Sequence, residues 1–215
     1  MEQRVKEAIR YLGFGKHAVD DQTMSLISSS FEELEKVVDA RSVYRIFQLK
    51  FKEEDCLEIG NLQIKSRHLA KNLSGCEEAV LFGSTLGTGV DLLMKKRSIT
   101  NMAGAVVLQA CAAAMLEEFC DKCNSTIARD MEKQGKYLHP RFSPGYGDFS
   151  IAHQESILRM LDAPKKIGLT MTNSSMLIPT KSVTAVIGIQ KGPVCHQKEG
   201  CQICEKKDCL YRRSK

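Results

Sequence analysis

The chain has 215 residues, 43% of them apolar and 27% charged, the balance of a globular protein that can bury one large core or two small ones. Its formal charge of +5 is uneven: residues 191–215 hold seven Lys/Arg against three Asp/Glu, which leaves the remainder near neutral and argues against a broad nucleic-acid-binding face. No apolar run approaches the roughly 18 residues that span a bilayer, and MEQRVKEAIR lacks the apolar core of a signal peptide, so the expectation is a cytoplasmic protein that binds neither nucleic acid nor membrane.

In chain order, EQRVKEAIRYLGF reads as a helix ended by Gly13 or Gly15, and DQTMSLISSSFEELEKVVDA as a second helical region. SVYRIFQLKF alternates and is rich in β-formers, which predicts a strand; CLEIGNLQI continues as a weaker one, and SRHLAKNL is a short helix opened by Ser66. EEAVLFGST is an apolar strand leading into LGTGVD, a glycine turn, and then a helix. A strand, two glycines and a helix start can bind phosphate through free amides. Here the third glycine of a dinucleotide fingerprint and the lysine of a P-loop are both missing, so the segment is read as a tight turn.

TNMAGAVVLQACAAAMLEEFCDKCNSTIARDMEKQG is the clearest helix, with Gly135 as its C-cap. The 3.6-residue period puts Leu108, Cys111, Met115 and Phe119 on a bulky side expected to pack on the sheet. A stripe of small residues, Ala103, Val106, Ala110, Ala113 and Cys120, lies nearly opposite and includes Glu117. A carboxylate among alanines either marks the point where the helix reaches solvent, as Glu118 and Asp121 suggest, or faces a ligand that supplies a donor. Cys120 and Cys123 form C-x-x-C inside a helix, without the strand-to-helix setting of a redox motif, and are read as core packing. After the glycine cap, KKIGLTMT, SMLIP and KSVTAVIGI read as strands. The irregular order of elements favours α+β over a doubly wound sheet. The expected organisation is one domain over residues 1–190 and a Cys-rich basic tail over 191–215.

Two stretches carry chemistry. HPRFSPGYGDFS, residues 139–150, has prolines that bias His139 and Ser143 to extended backbone, and glycines at 145 and 147 that allow turns or close approach to a bound molecule. Arg141 offers a planar fork of donors for a carboxylate. The segment is either a grip for an amino-acid-like ligand with a ring system, or a connection in which Asp148 or Ser150 caps the helix IAHQESILRML. In the tail, Cys195, Cys201, Cys204 and Cys209 are spaced C-x5-C-x2-C-x4-C. Four thiolates could hold zinc or an iron-sulfur cluster, with Lys198, Lys206, Lys207, Arg212 and Arg213 offsetting the negative charge; free thiols on a flexible tail are the alternative.

RFSPGYGDFSIAHQESILRMLDAPKKIGLTMTNSSMLIPTKSVTAVIGI, with the preceding helix MLEEFCDKCNSTIAR, resembles the R-x-x-P-G-Y segment and following elements of the activation domain of cobalamin-dependent methionine synthase. The resemblance runs from about residue 100 to 190. In length and tail the chain looks like stand-alone activation proteins that serve a methionine synthase lacking this domain. It implies an α+β fold with a mixed, largely antiparallel twisted sheet flanked by helices. It also implies S-adenosylmethionine binding through Arg141, Ser143, Gly145 and Tyr146, with Glu117 matching a family glutamate on the preceding helix. The implied activity is reductive methylation of cobalamin carried by a partner, either methionine synthase or another corrinoid protein, with flavodoxin or ferredoxin as electron donor. A non-catalytic, metal-containing docking module for a corrinoid protein is the alternative. Where the long enzymes continue the motif with Pro-Ala-Cys, this chain has Gly147, Asp148 and Phe149.

Overall fold

The computed structural model describes residues 3–14, 18–53 and 55–192. In chain order its elements are α1 (Gln3–Tyr11), α2 (Asp21–Val37), β1 (Arg41–Glu53), β2 (Cys56–Ile59), β3 (Leu62–Lys65), α3 (Arg67–Asn72), β4 (Glu78–Thr85) and α4 (Thr88–Thr100). They continue as α5 (Met102–Glu132), β5 (Lys136–Leu138), α6 (His153–Leu161), α7 (Ala163–Ile167), β6 (Thr170–Met171), β7 (Leu177–Ile178) and β8 (Ser182–Lys191). The fold is α+β, and the described residues group into two compact units. One draws on the chain up to Asp39 and on Thr88–Cys120; the other takes Ala40–Gly87 and the residues from Asp121 onward.

The first unit is helical. Asp20 caps α2 by accepting from Thr23 N at 2.8 Å, and Asn101 interrupts the helical run between α4 and α5 because its side chain accepts from Gly104 N at 2.9 Å. Ion pairs Arg4–Glu35 at 2.6 Å and Arg97–Glu33 fasten α1 and α4 to α2. On α5, Leu108 and Cys111 are fully buried and Met115 nearly so, with Cys111 Sγ 3.8 Å from the Ile27 carbonyl of α2. Within this unit Cys111 of the bulky side thus faces α2. The opposite stripe is not one surface: Ala103 and Val106 are exposed, Ala110 and Cys120 buried. α5 contains an 18-residue window of mean hydropathy 1.4, of which 56% is buried in the fold, as in a core helix.

The second unit is built on a six-stranded sheet in the order β3-β2-β1-β4-β8-β5, with every neighbouring pair antiparallel. β4 and β8 are interior strands, and their near-continuous apolar runs are explained by burial on both faces. Leu81 and Val186 pair and join Leu69, Phe149, Ile157 and Leu161 in the core under α3, α6 and α7. The opposite face carries Val80, Phe82, Ala185 and Ile187, also buried.

Two expectations needed correction. CLEIGNLQI is not one strand but a hairpin of β2 and β3, reversing at Gly60, whose φ is +60°. A Cβ at Gly60 would also lie 2.8 Å from the Phe47 ring, so the turn needs glycine twice over. KKIGLTMT opens with the last three residues of the short helix α7, which has Pro164 in its first turn and ends at Gly168, φ +68°. Only Thr170–Met171 remain extended, paired with β7.

LGTGVD is a tight turn, and the structure accounts for both glycines. Gly87 has φ +86°, and a Cβ on Gly89 would lie 2.4 Å from the Val37 carbonyl oxygen, where α4 starts against the end of α2. Because that oxygen is backbone, Gly89→Ala is expected to destabilise the protein by about 1–3 kcal/mol, measured as a lowered urea midpoint.

Candidate functional site

The glycine-rich segment is held to the sheet edge by main-chain bonds. After β5, His139 N donates to Gly188 O at 2.8 Å, Phe142 N donates to Val186 O at 2.9 Å, and Val186 N donates back at 2.8 Å. Residues 136–142 therefore run extended beside β8, including His139, which Pro140 biases to extended backbone; a strand thus lies between the two helices. The ring nitrogens of His139 lie 2.6 Å from Asn72 O and 2.7 Å from Gln190 Oε1, which anchors the start of the run to the end of α3 and to β8.

Arg141 projects from this extended run. Its Nη2 lies 2.8 Å from Asp121 Oδ1 on α5; the arginine side chain is mostly covered, at 22% exposed. By sequence Asp121, four residues after Glu117, suggests only that the helix reaches solvent. A guanidinium held at one edge by a carboxylate is fixed in plane.

Beyond Phe142 the chain folds into a compact turn. Tyr146 N donates to Ser143 O at 3.2 Å, Gly145 N to Phe149 O at 2.7 Å and Phe149 N to Tyr146 O at 3.0 Å. Gly145 has φ +94° and Gly147 φ +55°, both left-handed conformations. Tyr146 stands out at 68% exposed, whereas Phe149 is buried, 6.3 Å from the Phe142 ring and stacked 5.6 Å from His153. Burial holds the His153 imidazole below its ordinary pKa. Ser143, Gly145 and Tyr146 thus lie together in one turn directly after Arg141.

Asp148 clamps that turn to α3. Its carboxylate accepts from Ser66 Oγ at 2.5 Å, from Arg67 N at 2.8 Å and from His68 N at 3.1 Å, and the His68 ring lies 3.4 Å away. The capping role read from the sequence is real but belongs to another helix. α6 starts at His153 without a side-chain cap, and Ser150 Oγ accepts only from Ala152 N at 3.3 Å. Gly147 is required at the same contact, since a Cβ there would lie 2.4 Å from His68 Nδ1. The tripeptide that departs from the long enzymes thus has a structural task in this chain: glycine for approach, aspartate for the clamp, phenylalanine for the core.

Glu117 lies in the first unit, half-buried on α5. There, burial and the charge of Glu117 push the Tyr11 phenol above its ordinary pKa. Cys120 is buried, and Cys123 Sγ lies 3.4 Å from Ser42 Oγ. The candidate ligands Cys195, Cys201, Cys204 and Cys209 lie outside the described residues; among those described, no group of three or more His, Cys, Asp or Glu is placed to hold a metal ion.

The fold is shared with a solved protein. The chain is similar to the MetH reactivation domain, crystallised bound to AdoHcy, with a TM-score of 0.62 and 14% identity over 86% of this chain and 74% of that one. At that identity the likeness is one of fold. No family model and no curated protein matches the chain.

The clamp makes stability depend on pH. Bonds from Ser66, then from the Arg67 and His68 amides, lower the Asp148 pKa from 3.8 to about 2. A depressed folded-state value means that this stabilisation is present above the unfolded pKa and is lost as pH falls from about 4 to about 2. Asp148→Ala is expected to be less stable than the parent at pH 7 and to show a shallower loss of stability over that acid range, measured by urea unfolding at a series of pH values.

Proposed function

We propose that this protein binds S-adenosylmethionine along the His139–Ser150 segment and acts in the reactivation of a partner-borne corrinoid by methyl transfer. The observation that carries the reading is the run from Arg141 to Tyr146: a mostly covered arginine side chain on extended backbone, followed at once by a tight glycine turn with an exposed aromatic ring. It supports the role that the R-x-x-P-G-Y resemblance implies, and the similarity in fold to a reactivation domain crystallised with AdoHcy supports it independently.

These residues suit such a ligand in distinct ways. Arg141 is assigned to the ligand's carboxylate as a charge-assisted partner. The Gly145 and Tyr146 amides are used inside the turn, so the main chain there offers carbonyl oxygens, which match the ammonium, ribose hydroxyls and adenine amine of the ligand. The Tyr146 ring provides a face for the adenine or the sugar. Glu117 is assigned a separate contribution as a charge partner for the ammonium. S-adenosylmethionine supplies the methyl group, the partner's corrinoid supplies the nucleophilic metal, and a flavodoxin or ferredoxin supplies the electron. This chain holds the sulfonium in position, so its effect is proximity and alignment rather than acid–base chemistry. The client is methionine synthase or another corrinoid protein in the cytoplasm, and the tail cysteines are assigned to zinc or an iron-sulfur cluster.

Calorimetric titration of S-adenosylmethionine into anaerobically purified protein tests the reading. Saturable binding is expected, weakened by about tenfold to hundredfold in Arg141→Ala with an unchanged far-UV circular dichroism spectrum, the magnitude of a lost charge-assisted pair. Glu117→Gln should weaken binding less. A folded parent protein that does not bind the ligand would leave the docking module as the function.

A further inference from the structure

A second concavity lies elsewhere on the sheet. It has a volume of about 370 Å³ and is lined by Arg45 and Phe47 of β1, Asn61 of the β2–β3 turn, and Arg159 and Met160 of α6. In the sheet order β4 and β8 separate β1 from β5, the strand that leads into Arg141, so this site does not overlap the candidate ligand segment.

The arginines are notable for what they do not meet. Arg45 Nη1 donates to the Met160 carbonyl at 2.9 Å and its guanidinium sits 5.4 Å over the Phe47 ring. Arg159 reaches only the Ser156 hydroxyl at 3.5 Å. Neither is in an ion pair with a described carboxylate; Glu155 and Asp162 line an adjoining concavity that Arg159 also borders, and neither lies within ion-pair distance of it. Surface arginines usually find a carboxylate or lie loose in water. Here one is pre-aimed by a helix-end carbonyl and a ring, and a second shares the same hollow.

The floor is built rather than incidental. Gly60 allows the Phe47 ring and the Met160 methyl to crowd the turn, since a Cβ there would lie 2.8 Å from the one and 3.2 Å from the other. The hollow thus combines two exposed guanidiniums, neither ion-paired with a described carboxylate, an apolar floor and the Asn61 amide.

We infer that this hollow binds a phosphate monoester carried on an apolar group. Two guanidinium charges match the −1.5 to −2 of a phosphate monoester at about neutral pH, and exceed what one carboxylate needs. Phe47 and Met160 receive the apolar group, and Asn61 bonds to its polar rim.

Phenyl phosphate is the probe, titrated into the full chain while the Asn61 side-chain amide and Met160 methyl resonances are followed by NMR. Saturable shifts are expected, with benzoate and inorganic phosphate each about tenfold weaker and with affinity lowered about tenfold in both Arg159→Gln and Arg45→Gln. Arg141→Ala should bind the probe like the parent, which keeps this inference independent of the S-adenosylmethionine reading. No saturation, unchanged affinity in Arg159→Gln, or equal binding of benzoate or inorganic phosphate would overturn it.

Discussion

The architecture around the candidate site depends on the edge pairing between β8 and the extended run that ends at Phe142. The three main-chain bonds beyond β5 extend the β5–β8 ladder and decide where Arg141 begins. Gly188 on β8 leaves room for the packing beside the run: a Cβ there would lie 2.5 Å from Cys76 Sγ, 2.9 Å from Leu73 Cδ2 and 3.3 Å from the His139 Cβ. Pro140, which cannot donate to a ladder, falls between the two bonded residues, where no donor is used.

From that anchor the rest of the segment is over-determined. Asp121 holds the guanidinium at one end, the His139 ring ties the start of the run to α3 and β8, and Asp148 ties the turn to the amides at the start of α3. Phe149 then inserts into the core beneath the sheet. The turn is therefore a rigid shelf with one ring left outside it. Such a shelf suits recognition by a preformed surface, because little conformational freedom is lost when a ligand arrives.

Much of this was legible in the sequence. Gly and Pro spacing marked residues 139–150 as shaped backbone, Ser66 marked the start of a helix, and the apolar runs EEAVLFGST and KSVTAVIGI marked strands. The failures have physical reasons. CLEIGNLQI and KKIGLTMT went wrong because a single glycine or proline redirects a short apolar stretch, and periodicity over so few residues cannot distinguish a hairpin from a strand. Asp148 was recognised as a cap but assigned to the nearest helix along the chain. Its partners, from Ser66 to His68, lie about eighty residues away, and nothing local announces them.

The sequence by itself determined the α+β class, the turn chemistry of the glycine segment and the residue types offered to a ligand, because these follow from backbone preferences and side-chain chemistry that act locally. Only the tertiary structure decided that Arg141 is steered by Asp121, that Asp148 serves α3, and that Arg45 and Arg159 share a hollow on another part of the sheet. Those pairings depend on strand order and helix placement, which bring side chains from distant parts of the chain within bonding distance. Spacing along the chain carries no record of them.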